Sequence, residues 1–407
     1  MSFRIAYVVS HPIQYQAPLL GWIARSGIDL HVFFLSDFSL REHYERPFNR
    51  TFRWDVGLTD GYRSEVLRRP LCASLAPPFR LWPVTNFAQC LRAGRFDAVW
   101  VHGWGSLPHC QVIHSAASIG LPVLLRGESL SAADAAIDLR NRLRKLFYTR
   151  WLFSRAAAFL YIGSRNREFY RGYGIEDDRL FPMPYAVDNA FFQTRCLEAQ
   201  PKRDGFRHSL GLVPGRPVIL FTGKLIRRKA PDELLAAFEL ACARLSPQTM
   251  PYLLYVGDGP LRLSLEHAAG SFRDQVRFVG FRNQTELPAF YDLCDVFVLS
   301  SSFEPWGLAL NEAMNAGRAV VVSDRVGAGA DLVRNGDNGF VYRSGDVAGL
   351  AARLLQLIQS PRLRSRMGER SLERIQKWNF AADCKGLRDA LSAICRPRSR
   401  HTGEAVR

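Results

Sequence analysis

Short apolar runs alternate with longer stretches in which apolar residues recur every three or four positions, along the whole chain. A continuous apolar run of four to six residues suits a strand buried on both faces, and the longer period suits an amphipathic helix. In the first half, Ile5–Val9, Leu30–Leu35, Ala98–Val101, Val123–Leu125 and Ala158–Ile162 predict strands. Ala17–Arg25 and Cys110–Ile119 predict helices between them. The pattern loosens between Asn189 and Pro217, where Pro201, Gly205, Gly211, Pro214 and Gly215 fall among many charges. It resumes with expected strands at Val218–Thr222, Tyr252–Val256, Val276–Val279, Val296–Leu299 and Ala319–Ser323. Helices are expected at Asp232–Leu245, Leu261–Ala268, Leu287–Leu293, Leu308–Ala316 and Val347–Ile358.

Strand–helix alternation of this kind implies parallel sheets with helices on both faces. A chain of 407 residues is too long for one ordinary core. The expected fold is therefore α/β, with two doubly wound Rossmann-like domains facing each other across a cleft. Residues 1–190 form the first domain, 191–216 the connection and 217–380 the second domain. Residues 381–407 are expected as a C-terminal helix and tail packing back on the first domain. Ligands of such sheets bind beyond the carboxyl ends of the strands, so the loops there are where chemistry is sought.

Hydrophobic residues make up 47% of the chain, enough to fill two cores. The formal charge is +16, and the first 200 residues carry 24 Lys+Arg against 17 Asp+Glu. The excess is thus shared by both halves and is not a basic tail. It suits a nucleic acid, an anionic membrane surface or a phosphorylated substrate. No nucleic-acid motif accompanies it, so no nucleic-acid partner is expected. The eight cysteines form no C-x-x-C pair and no zinc spacing, which fits a reducing, cytoplasmic setting. Residues 98–125 carry no charge, but Gly103, Gly105, Pro108, Gly120 and Pro122 break the stretch, so no transmembrane helix is expected.

The most informative loop is Ser300-Ser-Ser-Phe-Glu-Pro-Trp-Gly-Leu-Ala-Leu-Asn-Glu312. A strand ends near Leu299 and a helix begins near Gly307. Amides at a helix start lack internal partners and sit at the positive end of the dipole, which suits a diphosphate. Glu304 precedes that helix and suits a sugar hydroxyl; Glu312 lies within it and suits ribose hydroxyls. The competing reading has Glu304-Pro305 starting the helix and Glu312 in solvent. A second loop, Phe221-Thr-Gly-Lys-Leu-Ile-Arg-Arg-Lys229, follows the first strand of the second domain. Gly223 permits a tight turn there. Lys224 and Lys229 would stabilise a departing diphosphate, unless the loop is simply a solvated basic turn. Val256-Gly-Asp-Gly-Pro260 is a tight turn beside the cleft.

The order G-K-x-x-x-x-K, V-G-D-G-P, V-G-F, E-P-x-G-L-x-x-x-E resembles the retaining glycosyltransferases of family four, which have the two-domain GT-B fold. The likeness is nearly continuous from Val218 to about Tyr342, and Phe181-Pro-Met-Pro-Tyr-Ala-Val-Asp188 resembles the segment closing the first domain. The resemblance implies that Lys224 and Lys229 bind the diphosphate of a UDP- or GDP-sugar. Glu304 would contact the sugar, the Trp306–Leu308 backbone would hold phosphate or sugar oxygens, and Glu312 would bind the ribose. The base would sit near Phe281. No resident cofactor is implied. This chain departs from the pattern at Lys224, where arginine is usual, at Ala230, where glycine is usual, and at Asp331, where glutamate is usual.

In the first domain the loop Ser10-His-Pro-Ile-Gln-Tyr-Gln-Ala-Pro18 resembles a subgroup of bacterial transferases acting on surface polysaccharides. His11, Gln14 and Gln16 are candidates for acceptor or donor-sugar recognition, or else cap the next helix. In Leu124-Leu-Arg-Gly-Glu-Ser129, Glu128 falls where many members carry a histidine beside the reacting centre. Glu128 or Arg126 takes over part of that role, or the acceptor differs, or Arg126 makes a structural salt bridge. His102 is a further cleft candidate, set against the ordinary reading of a packed histidine. The segment Arg140–Arg155 mixes cations with Leu143, Leu146, Phe147 and Trp151. It is either a domain helix with a solvated basic face or a peripheral contact with an anionic membrane.

Taken together these features imply transfer of a sugar to a saccharide or lipid-linked acceptor in the cytoplasm, with peripheral contact at the inner face of the membrane left open. No Asp-x-Asp occurs, so activity without metal is expected. Two rivals stay open at this stage: a sugar-nucleotide epimerase on the same fold, and a non-catalytic nucleotide-sugar-binding scaffold.

Overall fold

The structure is a computed structural model that describes residues 3–45, 50–67, 83–84, 86–130, 143 and 146–395. The first half runs β1 (Arg4–Val9), α1 (Ala17–Arg25), β2 (Asp29–Phe34), β3 (His43–Glu45), β4 (Arg50–Phe52), β5 (Arg63–Val66) and α2 (Phe87–Gly94). It continues with β6 (Ala98–His102), α3 (Leu107–Ser118), β7 (Val123–Arg126), β8 (Ala158–Tyr161), α4 (Ser164–Gly172) and β9 (Leu180–Pro182). Seven strands form one parallel sheet in the order β5-β2-β1-β6-β7-β8-β9, while β3 and β4 make a separate antiparallel pair. Strand alternation sets the two cores. Ala6 and Val8 of β1 enter the core on one face of the sheet, and Ile5, Tyr7 and Val9 enter the core on the other.

The second half begins with α5 (Asn189–Ala199) and α6 (Arg203–Ser209), then β10 (Val218–Thr222), α7 (Pro231–Cys242), β11 (Tyr252–Val256), α8 (Arg262–Ala268) and β12 (Val276–Gly280). There follow α9 (Leu287–Leu293), β13 (Val296–Leu299), α10 (Leu308–Asn315), β14 (Ala319–Ser323), α11 (Gly329–Leu332) and β15 (Gly339–Tyr342). The last helices are α12 (Val347–Gln359), α13 (Pro361–Ile375) and α14 (Phe380–Ile394). The second sheet is parallel in the order β12-β11-β10-β13-β14-β15. The two sheets give two doubly wound, Rossmann-like layers. In each, strand order reverses once: between β1 and β6, and between β10 and β13.

The stretch 191–216, expected as an irregular connection, is largely helical. Asp188 caps α5 by accepting from Phe191 N at 3.0 Å. Cys196 on α5 reaches Pro288 O, and Arg203 on α6 pairs with the buried Asp292, so both helices lie on α9 of the second domain. The prolines and glycines that suggested a loop sit at the breaks. Pro201 lies in the short turn Gln200–Lys202 between the helices, and Gly211 follows α6.

The final helix returns to the first sheet. Phe380, Cys384, Leu387 and Leu391 of α14 are buried in the core beneath β1, β6 and β8. There Asp383 meets Arg126 at 3.1 Å, with both side chains 0% exposed. Arg126 Nη2 also donates to the Met183 and Pro184 carbonyls, at 3.0 and 3.1 Å. The guanidinium therefore joins β7, the chain crossing between the domains and the last helix.

No helix among the described residues is long and apolar enough to cross a membrane. Of the basic segment 140–155, residues 140–142 and 144–145 lie outside the described residues, as does Cys72. Leu143, Leu146 and Phe147 are exposed.

Removing one partner of a buried pair strands the other charge, at a cost of about 3–5 kcal/mol. Asp383→Ala is accordingly expected to lower stability by about 3 kcal/mol or more. Urea denaturation checks this, and a change within ~0.5 kcal/mol would contradict it.

Candidate functional site

The two places where strand order reverses carry most of the residues that the sequence singled out. In the second sheet the loop 223–229 leaves β10 and is pinned to the loop after β11. Gly223 N donates to Val256 O and Leu225 N donates to Asp258 O, both at 2.9 Å. Gly257 lies so close beneath that a Cβ would sit 1.9 Å from Gly223 O, which leaves room only for glycine. The loop ends at Ala230, whose φ of 46° is left-handed. That conformation costs a residue with a Cβ about 1–2 kcal/mol, which explains why glycine is usual there.

The loop after β13 is tied to this one. Ser300 Oγ lies 3.0 and 2.9 Å from the Lys229 and Ala230 carbonyls, and Ser302 N donates to Arg228 O at 2.9 Å. The stitching brings Lys229 Nζ against Glu304 Oε2 as an ion pair, with each side chain largely buried. Glu304 is held through its backbone as well, donating to Arg325 O at 3.1 Å and accepting from Gly327 N at 2.9 Å. Three residues on, Gly307 caps α10 with φ 102°, where a Cβ would meet Leu299 at 2.7 Å. The first amides of α10 then have no acceptor within the helix. Lys224 is half-buried on the same loop as Lys229. A cation, a carboxylate and a helix start thus lie together, a combination that suits an anion carrying hydroxyls.

Glu312 is buried in α10 rather than solvated. It accepts from Tyr291 OH at 2.6 Å, and that phenol lies 2.9 Å from Thr222 Oγ1 at the end of β10. Burial pushes the Glu312 carboxyl up to about 7, against the pull of Tyr291. Phe281, just past β12, is covered from the first domain. Phe52 stands 4.3 Å from its ring centroid and Trp54 6.4 Å away. Asn283 Nδ2 donates to Arg53 O at 2.8 Å, and Thr285 N donates to Asp55 at 3.2 Å, so residues 50–55 reach across to the second domain. Trp306 is buried, and its indole N–H donates to Asn311 Oδ1 at 3.0 Å.

In the first sheet, the loops after β1, β6 and β7 surround a cavity of about 440 Å³. His102, His109 and Glu128 line it. Tyr7 OH donates to Gln16 Oε1 at 2.6 Å, which turns the Gln16 amide nitrogen toward His102 Nε2 at 3.0 Å. An amide nitrogen only donates, so His102 Nε2 accepts and the neutral ring carries its proton on Nδ1. Burial holds His102 well below the usual imidazole range and brings His109 down to about 4. Glu128 Oε1 accepts from Tyr185 OH and from Tyr15 OH, the latter at 3.3 Å, and lies 4.0 Å from His102.

Other candidates from the sequence stand elsewhere. Arg126 does not reach the cleft: its head is fully buried on Asp383 and two carbonyls, the salt-bridge alternative. Gln16 is spent on Tyr7 and His102, and Gln14 lines a separate small cavity with Asp188 and Gln284. His11 packs edge-on against Phe38, with Nδ1 2.8 Å from Ser10 Oγ.

Two models of known families match the chain. "Glycosyl transferase 4-like domain" covers residues 12–186, and "Glycosyl transferases group 1" covers residues 202–374. Together the two models cover most of the chain and support a glycosyltransferase of the family-four, GT-B type. Among curated relatives, the chain is 30% identical to D-inositol 3-phosphate glycosyltransferase 2 of Catenulispora acidiphila, over 55% of this chain and 53% of that one. It is likewise 30% identical to alpha-D-kanosaminyltransferase of Streptomyces kanamyceticus, over 53% and 54%. The match therefore spans about half the length of these two relatives. A D-inositol 3-phosphate glycosyltransferase of Nocardia farcinica is 29% identical over 78% of this chain and 71% of its own. The GT-B fold is shared with Anabaena Alr3699/HepE, solved with UDP: TM-score 0.71, 17% identity, 97% and 100% coverage.

Sequence reasoning missed Tyr185, Asn311, Tyr291 and His109. Tyr185 OH holds Glu128, its carbonyl accepts from Asn311 Nδ2 at 2.9 Å, and Asn311 holds the Trp306 indole. Signals existed for two of them: Tyr185 sits in the segment closing the first domain, and Asn311 precedes Glu312. Tyr291 and His109 lie in ordinary helical patterns and gave none.

Two outcomes are expected. Ala230→Gly relieves the left-handed strain at a smaller cost in unfolded-chain entropy, so stability should rise by about 0.5–1 kcal/mol. An unchanged or lower urea midpoint counts against it. Glu312 holds in the fold a proton that the unfolded chain releases above its ordinary 4.5, so its contribution is present at low pH and lost as pH climbs through about 7. Relative to Glu312→Gln, wild-type stability should therefore fall by up to about 3 kcal/mol between roughly pH 4.5 and 7.5. Parallel pH profiles for the two proteins would show Glu312 to be ordinary.

Proposed function

We propose that this chain moves a glycosyl group from a nucleoside-diphosphate sugar, a UDP- or GDP-sugar, to a hydroxyl of a saccharide or lipid-linked acceptor. The observation that carries this reading is the Lys229–Glu304 pair at the start of α10. A diphosphate that takes Lys229, Lys224 and the amides around Trp306, Gly307 and Leu308 releases the Glu304 carboxylate for a sugar hydroxyl. The same cations and amides then stabilise the charge that develops as the diphosphate leaves. Glu312 accepts from the ribose hydroxyls, the base lies beside Phe281, and Gly223 lets the loop approach the phosphates. Glu128 faces the acceptor side.

In the reaction the acceptor oxygen bonds to the anomeric carbon while the bond from that carbon to the diphosphate oxygen breaks, its electron pair leaving with the diphosphate. The acceptor proton passes to a diphosphate oxygen on the same face, which retains the anomeric configuration. Two lysines and a helix start supply the positive charge, so no resident metal is needed. Support comes from the names of the curated relatives and from Alr3699/HepE, solved with UDP and with UDP-glucose. The acceptor belongs to surface polysaccharide assembly at the cytoplasmic face of the membrane. Leu146 and Phe147 are exposed and available for peripheral contact there.

The test is thermal stability with UDP, GDP, ADP and CMP, each with EDTA, followed by transfer assays with the matching sugar donor. A ligand that binds only the folded state raises the midpoint. One diphosphate should shift it by several degrees with chelator present. Glu304→Ala should keep that shift and lose transfer at least a hundredfold. No shift with any nucleotide, or full transfer by Glu304→Ala, would overturn the proposal.

A further inference from the structure

The cavity beside β1, β6 and β7 has the size of a small-ligand pocket, about 440 Å³. It lies at the carboxyl edge of the first sheet, at the reversal between β1 and β6, opposite in role to the crevice holding Lys229 and Glu304. Its polar lining is built rather than incidental. Glu128 Oε1 is fixed by two phenols from different elements, Tyr15 and Tyr185. Glu128 Oε2 has no hydrogen-bond partner among the described residues, and the side chain is 38% exposed. The two histidines beside it are more than nine-tenths buried, and each keeps one ring nitrogen unpartnered, Nδ1 of His102 and Nε2 of His109. His102 is set as an Nδ1–H donor by the Gln16 amide.

On the transferase reading this cavity faces the acceptor, and we infer that the unit recognised there is an uncharged sugar whose hydroxyl donates to Glu128 Oε2. The inference rests on the transferase reading and adds the acceptor's charge class. A carboxylate oxygen accepts from hydroxyls and repels phosphate or carboxylate oxygens at the same spot. Imidazoles held neutral by burial add no cation, and the guanidinium behind them, Arg126, is buried and paired with Asp383. The named relatives include transferases for a phosphorylated inositol, so acceptor charge is a property on which this chain can differ from them.

Saturation-transfer NMR on the full chain tests this with named probes. These are the methyl glycosides of glucose, galactose, mannose and N-acetylglucosamine, with glucose 6-phosphate and glucuronate as anionic counterparts. At least one neutral glycoside should give a signal fivefold or more above both anions. Glu128→Ala should remove most of it. Glu128→Gln, which keeps an acceptor oxygen and drops the charge, should retain it and raise the anionic signals. Gly105→Leu offers a variant independent of Glu128: Gly105 lines the cavity, and a Cβ there meets nothing within 4 Å, so a larger side chain fills the space without a clash. It should cut the glycoside signal at least fivefold. Equal signals from anions and neutral sugars overturn the inference. Silence from every neutral glycoside, or a glycoside signal that both Glu128→Ala and Gly105→Leu leave intact, also overturns it. The nucleotide-induced thermal shift, recorded on the same samples, reports the donor side separately. A lost shift with glycoside binding intact sinks the transferase reading alone.

Discussion

In a parallel sheet the carboxyl end of every strand lies along one edge, and a reversal of strand order leaves one gap between the loops there. Both sheets of this chain obey that constraint, with gaps between β1 and β6 and between β10 and β13. The loops bordering those gaps are the ones that carry Gln16, His102, Lys229 and Glu304. Neither sheet supplies a complete site. The second brings cations, a helix start and two carboxylates; the first brings a cavity with one carboxylate and two uncharged imidazoles.

What relates the two halves is a small set of polar contacts at the crossing 183–188. Arg126 ties β7 to the crossing and to α14, so the end of the chain is anchored to the sheet with which it began. Immediately after, Tyr185 holds Glu128 with its hydroxyl and Asn311 with its carbonyl, and Asn311 holds Trp306. Glu128 and the Glu304 loop are thereby linked through three hydrogen bonds. Further contacts cross at the other lip, where Asp55 meets Thr285. A change in the tilt between domains must alter these bonds, so the two crevices share the cost of any such motion.

The alternation of apolar runs was enough to place every expected strand, because strands buried on both faces leave continuous Val, Ile and Leu runs that few other structures need. β3, β4, β5, β9 and β15 escaped notice: Leu180–Pro182, for one, is three residues long, and Arg63–Val66 alternates at a sheet edge with no apolar run. The helices α5 and α6 were obscured because their prolines and glycines mark breaks between helices as readily as loops. In the site, Glu304 and Glu312 were legible through their spacing about a helix start. Arg126 was not, since its partner Asp383 lies 257 residues away and nothing local distinguishes a buried arginine from a cleft one. The strap formed by residues 50–55 over Phe281 was invisible for the same reason: contact between distant loops leaves no periodic trace.

Three glutamates show how one residue type is given three tasks by its surroundings. Glu304 is neutralised by Lys229 a short reach away, which keeps a negative charge tolerable in a largely buried loop and makes it available when an anion competes for the lysine. Glu312 has no cation beside it, only a phenol, so burial leaves it holding its proton up to about pH 7, and a ligand that donates to the ionised form must drive that proton off. Glu128 keeps contact with solvent and with two phenols, which orient one oxygen and leave the other facing the cavity. Desolvation disfavours an unpaired charge far more than a paired or wetted one, so these roles are not interchangeable. Moving the cation from Glu304 to Glu312 would leave Glu304 an unpaired carboxylate in a largely buried loop and would tie Glu312 to lysine.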